Sequence, residues 1–140
     1  MIIKVKKIHA NACLPVKSNR EDAGFDIFSV EGRRIEPGQR ASVSTGISME
    51  IPSGYYGQIL PRSGLALKSG IQIMGGVIDS GYRGEIKVIL YNSEPYFYTV
   101  NSGDRIAQMV ILPVPEIELV EAEELSDTVR SDAGFGSTGK

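Results

Sequence analysis

Short runs of β-branched and apolar residues recur along this 140-residue chain, each closed by Gly, Pro, Asn or Ser, and helical periodicity is almost absent. The pattern predicts strands at Ile2–Lys7, Phe25–Ser29, Ala41–Glu50, Tyr55–Leu60, Ile71–Ile73, Gly76–Ile78, Glu85–Tyr91, Tyr96–Val100, Arg105–Leu112 and Ile117–Val120. Many short strands at close spacing predict an all-β, jelly-roll-like barrel. One short helix is expected, with Ser63 as its cap, Leu65-Ala66-Leu67-Lys68 in its body and Gly70 at its end.

The length fits one domain, large enough to bury a core without a metal or disulfide staple. A net charge of −2 argues against a protein that coats nucleic acid through a basic face, while leaving local Arg and Lys free to hold a small anion. The single cysteine, Cys13, excludes an intrachain disulfide and a Cys-based metal site. His9 and Cys13 have no partner with which to form a nucleophilic dyad. The N-terminus alternates like a strand rather than a signal peptide, and no apolar run is long enough to span a bilayer. A cytoplasmic protein with no membrane or nucleic-acid partner is the expectation.

The end of the chain differs in kind. Residues Ser126–Lys140 read SDTVRSDAGFGSTGK, too polar and Gly-rich to bury much surface. The expected organisation is a barrel over 1–125 and a flexible arm over 126–140. Fully extended, the arm would reach on the order of 50 Å, far enough to cross onto a neighbouring subunit.

Five segments place polar, glycine-flanked groups where the strand rhythm breaks: Ala23–Ile27 (AGFDI), Pro61–Leu65 (PRSGL), Gly76–Gly84 (GVIDSGYRG), Gly103–Gln108 (GDRIAQ) and Arg130–Gly139 (RSDAGFGSTG). Each alone has a plain structural reading as strand surface, turn, helix cap or terminus. The last, followed by Lys140, matches the first seven positions of the phosphate loop G-x-x-x-x-G-K-[ST]. No strand leads in, no helix follows and no Ser/Thr is left for magnesium, so a P-loop NTPase is rejected. Gly-rich backbone with two hydroxyls can still wrap a phosphate.

Taken together, in this order and at this spacing, AGFDI, PRSGLALK, GVIDSGYRGEI, GDRIAQM and RSDAGFGSTGK resemble the five motifs of the trimeric dUTPase family, from about Glu21 to Lys140. The resemblance implies hydrolysis of dUTP to dUMP and pyrophosphate. Asp79 would be the general base that activates water, and Asp26 would help position the magnesium–phosphate assembly. Arg62, Ser63, Gly64 and Gln108 would contact phosphates, with Ser63 at the leaving bridging oxygen. Magnesium would bind mainly through phosphate oxygens and water.

Uracil would lie in the hairpin that holds Gly76, Val77 and Ile78, read chiefly by backbone groups. Cytosine would leave buried groups unpaired there. Some members carry an Asn on this hairpin where this chain has Ile73. Tyr82 would press on the deoxyribose and exclude a 2′-hydroxyl. Arg130, Gly136, Ser137 and Thr138 would close over the γ-phosphate, and Phe135 would stack on uracil. Each site of a homotrimer would draw on three chains. The alternatives are a dCTP deaminase of the same fold, disfavoured by Tyr82 and the full glycine tail, and a nucleotide-binding regulatory protein.

Overall fold

The computed structural model describes residues 1–132. Its elements in chain order are β1 (Lys4–Lys7), β2 (Phe25–Phe28), β3 (Arg33–Ile35), β4 (Arg40–Ser44), β5 (Ile47–Glu50), β6 (Tyr55–Leu60), α1 (Ser63–Ser69), β7 (Ile71–Met74), β8 (Val77–Ile78), β9 (Lys87–Asn92), β10 (Tyr98–Val100) and β11 (Arg105–Pro113). The strands pair antiparallel in two larger sheets, ordered β2-β11-β6-β8 and β4-β9-β7, and two small ones, β1-β5 and β10-β3. The result is the expected all-β, jelly-roll-like architecture.

Alternation builds the core. In β9, Val88, Leu90 and Asn92 are buried while Lys87 and Ile89 face out, the period of a strand with one dry face. These side chains meet Ile27, Val43, Ile59, Ile71, Ile106 and Met109 from the other strands in one cluster. Strand β11 breaks the alternation by burying Ile106 and Ala107 in succession, because a register shift opposite β2 inserts an extra residue. Asn92 is a buried polar group with its needs met: Nδ2 donates to Ile35 O (3.0 Å) and Tyr96 O (2.8 Å), and Oδ1 accepts from Glu94 N (3.0 Å).

Three expectations are corrected. The run Ala41–Glu50 is two strands, because Gly46 adopts φ 69° and turns the chain between them. Segment Ile117–Val120 forms no strand: it lies past β11, exposed, and no neighbour among the described residues offers it a ladder. The helix is capped at Arg62, not Ser63; Arg62 is extended (φ −86°, ψ 128°) and Ser63 is already helical. Gly70 ends the helix as expected, in the left-handed conformation (φ 58°) with its N–H on Leu65 O. Among the described residues no helix is long and apolar enough to cross a membrane.

Candidate active site

Sheet register gathers three of the five segments at one place. Gln108 on β11 lies opposite Asp26 on β2 and, on its other side, opposite Leu60 at the end of β6. The chain leaves β6 through Pro61 and Arg62 and enters α1 at Ser63 and Gly64. A cleft of about 580 Å³ results, with Asp22, Asp26, Arg62, Ser63, Lys68 and Gln108 on its walls.

Asp26 is the anchor of this cleft. Its side chain is only 14% exposed and meets two guanidinium groups: Arg62 Nε at 3.0 Å from Oδ1 and Arg105 Nη1 at 3.1 Å from Oδ2. Arg62 also donates from Nη1 to Arg105 O (3.4 Å), and Arg105 from Nη1 to Ser18 Oγ (3.4 Å). The arginine side chains are 33% and 45% exposed, so solvent screens both pairs and their main effect is orientation rather than stability.

Gln108 is fixed from two directions. Its Nε2 donates to Pro61 O at 2.9 Å. Its Oε1 sits so close to Gly24 that a Cβ there would come within 2.6 Å. Ser63 and Gly64 are exposed on the rim, and no hydrogen bond engages the Ser63 hydroxyl among the described residues. A Cβ on Gly64 would meet nothing within 4 Å, which leaves open space above the first helical turn. The half-buried Tyr98 phenol is pushed above its ordinary pKa by burial and by Asp104, against the opposing pull of Arg62.

The third segment lies elsewhere. Val77, Ile78, Asp79 and Tyr82 line a smaller cleft of about 230 Å³ with Glu85 and Lys87, and this cleft shares no lining residue with the first. Gly76, at φ 109°, brings its carbonyl to Ile59 N (2.7 Å); a Cβ there would lie 2.7 Å from Ile59 O, so only glycine fits. Asp79 is exposed and begins a turn in which Tyr82 N donates to Asp79 O (3.1 Å). Within one chain, then, Asp26, Arg62, Ser63, Gly64 and Gln108 come together, and Asp79 and Tyr82 do not join them. Arg130 lies in the exposed C-terminal stretch that follows β11. Phe135, Gly136, Ser137 and Thr138 lie outside the described residues.

Arg105 is the partner of Asp26 that sequence reading missed. It was visible as part of GDRIAQ, but its partnership with Asp26 follows only from the pairing of β2 with β11. As a metal site the cleft has a definite character. Among the described residues no group of three or more His, Cys, Asp and Glu side chains converges. Asp26 is already engaged by arginines, while Asp22 and the Gln108 amide add oxygen acceptors. This donor set does not cage a bare cation, but it fits a hydrated magnesium ion brought in on phosphates.

The sequence profile of the dUTPase family matches residues 10–139. The chain belongs to the dUTPase family. Among dUTPase relatives, the deoxyuridine 5'-triphosphate nucleotidohydrolase of Nautilia profundicola is 50% identical over the full length of both chains. That of a Hydrogenobaculum strain is 51% identical over 99% of each. The dUTPase of Staphylococcus bacteriophage 80alpha, solved with dUpNHpp, superposes with a TM-score of 0.93 at 32% identity, covering 99% of each chain. A mutant dUTPase of phage phi11 of S. aureus, described with a structural Mg(II) ion, gives a TM-score of 0.85 at 30% identity over 91% of this chain and 100% of that one.

Proposed function

We propose that this chain hydrolyses dUTP to dUMP and pyrophosphate, keeping uracil out of DNA and supplying dUMP for dTMP synthesis. The observation that carries the reading is identity of about one half, along the whole chain, to relatives named for this reaction. The triphosphate lies in the Asp26 cleft, where Arg62, Ser63, Gly64 and Gln108 donate to its oxygens. Asp79 takes a proton from water as the water oxygen attacks the α-phosphorus. The bond from that phosphorus to the α,β-bridging oxygen breaks, and pyrophosphate leaves with the bonding electrons. The Ser63 hydroxyl, unengaged among the described residues, donates to this departing oxygen.

Uracil pairs with backbone groups around Gly76, Val77 and Ile78, and Tyr82 covers the deoxyribose. Magnesium, when bound, would supply charge neutralisation along the triphosphate, and Asp26 and Gln108 are the residues that would hold it there through water. The site is shared in a homotrimer: the Asp26 cleft of one copy faces the Asp79 cleft of a second. The arm of a third closes with Arg130, Phe135, Gly136, Ser137 and Thr138. Two features support sharing. The two clefts have no lining residue in common. Ile117, Leu119, Val120 and Leu125, beyond the barrel, are exposed in the single chain.

The test is pyrophosphate release from dUTP, dCTP, dTTP and UTP offered separately, with and without magnesium, by the wild type and Asp79→Asn. Turnover of dUTP alone, dependent on magnesium and lost in the variant, is expected. Pyrophosphate from none of the four would refute the hydrolase reading, and ammonia from dCTP would replace it with the deaminase.

A further inference from the structure

Gly84 follows the turn that carries Tyr82, and nothing about its backbone requires glycine: its φ lies outside the left-handed region. It is exposed, so packing of the barrel does not require glycine either. What occupies its Cβ position is the ring of Tyr82. A Cβ at Gly84 would lie 2.6 Å from Tyr82 Cζ and 2.9 Å from Cε2, and closer still to the phenol oxygen. The three nearest heavy atoms all belong to that one side chain.

The ring is anchored in this position. Its hydroxyl donates to Glu85 O at 2.8 Å, and its backbone N–H to Asp79 O at 3.1 Å. The Arg83 guanidinium donates to Ser80 O (2.5 Å) and Tyr82 O (2.9 Å), which ties the turn together around the ring. The backbone is thus braced while, among the described residues, the phenol end is held by its one hydrogen bond to Glu85 O. A methyl group at Gly84 would be accommodated by the ring swinging away and releasing Glu85 O, since the far end of a side chain yields more easily than a braced turn.

We infer that Gly84 is a positioning residue for sugar selection: its missing side chain is the seat in which the Tyr82 ring lies. The inference rests on the reading that Tyr82 covers the deoxyribose and leaves no room for a 2′-hydroxyl. Gly84 touches no substrate atom in this scheme; it acts through Tyr82. Adding one methyl unseats the ring and admits ribose, while the barrel and the Asp26 cleft stay as they are.

The experiment compares kcat/KM for dUTP and UTP in the wild type, Gly84→Ala, Gly84→Ser, Tyr82→Ala and the Tyr82→Ala/Gly84→Ala double variant, with thermal melts of each. A second readout is the ring NMR signal of Tyr82, assigned by its disappearance in Tyr82→Ala. Gly84→Ala and Gly84→Ser should move that signal and leave the melt nearly unchanged. Both should lower the preference for dUTP over UTP by about 10- to 200-fold, the range for losing a shape contact in a pocket. The double variant should discriminate no worse than Tyr82→Ala alone, because both changes remove the same contact. An unmoved ring signal in Gly84→Ala, or wild-type discrimination there while Tyr82→Ala loses it, would overturn the seat and leave the Tyr82 reading standing. Undiminished discrimination in Tyr82→Ala would instead overturn that reading and this inference with it.

Discussion

Arg105→Leu removes a guanidinium whose Nη1 lies 3.1 Å from Asp26 Oδ2 and 3.4 Å from Ser18 Oγ. The effect on folding is small, because the Arg105 side chain is 45% exposed and water screens the pair. A contact of this kind contributes about 0.5–1 kcal/mol. Against a typical domain stability of about 5–15 kcal/mol, that leaves the variant folded at assay temperature. The effect on turnover is larger. Asp26 would keep one cation, Arg62, which is also a phosphate donor in the proposed mechanism. Phosphate and Asp26 would then compete for it, where Arg105 otherwise lets Arg62 serve the ligand without stranding the carboxylate.

A fall in kcat/KM for dUTP of about 10- to 100-fold is expected, equivalent to about 1.4–2.8 kcal/mol of transition-state stabilisation. Arg105→Lys should recover part of it, since an ammonium can reach Oδ2 but cannot reproduce the guanidinium's planar donor geometry. Steady-state kinetics alongside a denaturant titration separates the two effects. Activity within twofold of wild type in Arg105→Leu, or a stability loss large enough to explain the kinetic loss, would refute this division of labour.

Gly24→Ala should place a methyl 2.6 Å from Gln108 Oε1 and break the Gln108 bond to Pro61 O; loss of one fixed donor predicts a kcat lower by about 100-fold or more, measured by pyrophosphate release. Asn92→Ala should destabilise the barrel by about 3 kcal/mol, read by urea unfolding, because it removes the three hydrogen bonds of a fully buried side chain, about 1 kcal/mol each. Deleting residues 130–140 should lower dUTP turnover by orders of magnitude while light scattering reports the same assembly size as for the full chain; full activity after the deletion would dismiss the closing arm.

Strands with clean borders were legible in the sequence. Tyr55–Leu60 begins and ends where the pattern placed it, because Gly54 and Pro61 punctuate it on both sides. Arg33–Ile35 escaped notice: a run of three residues with two arginines carries no alternation to read, and only its pairing with Tyr98–Val100 makes it a strand. Ile117–Val120 misled in the opposite sense, since β-branched residues create a preference for extension but not a partner. At the candidate site, glycines and charged residues marked five segments, and the register of β2, β11 and β6 joins three of them. The Arg105–Asp26 pair and the packing of Tyr82 against Gly84 were not legible, because one depends on a cross-strand neighbour and the other on the space a side chain would fill.

Whether the Asp26 cleft and Asp79 work together across subunits can be decided by mixing two disabled chains. Asp26→Asn and Asp79→Asn, each expected to be nearly inactive on its own, would be unfolded, mixed in equal amounts and refolded. If a site takes its cleft from one copy and its base from the next, random assembly leaves about one quarter of the sites with both carboxylates intact. The mixture should then regain about one quarter of wild-type dUTP turnover. A mixture as inactive as its components, with mixed trimers demonstrated by mass spectrometry, would mean that each site is completed within one chain.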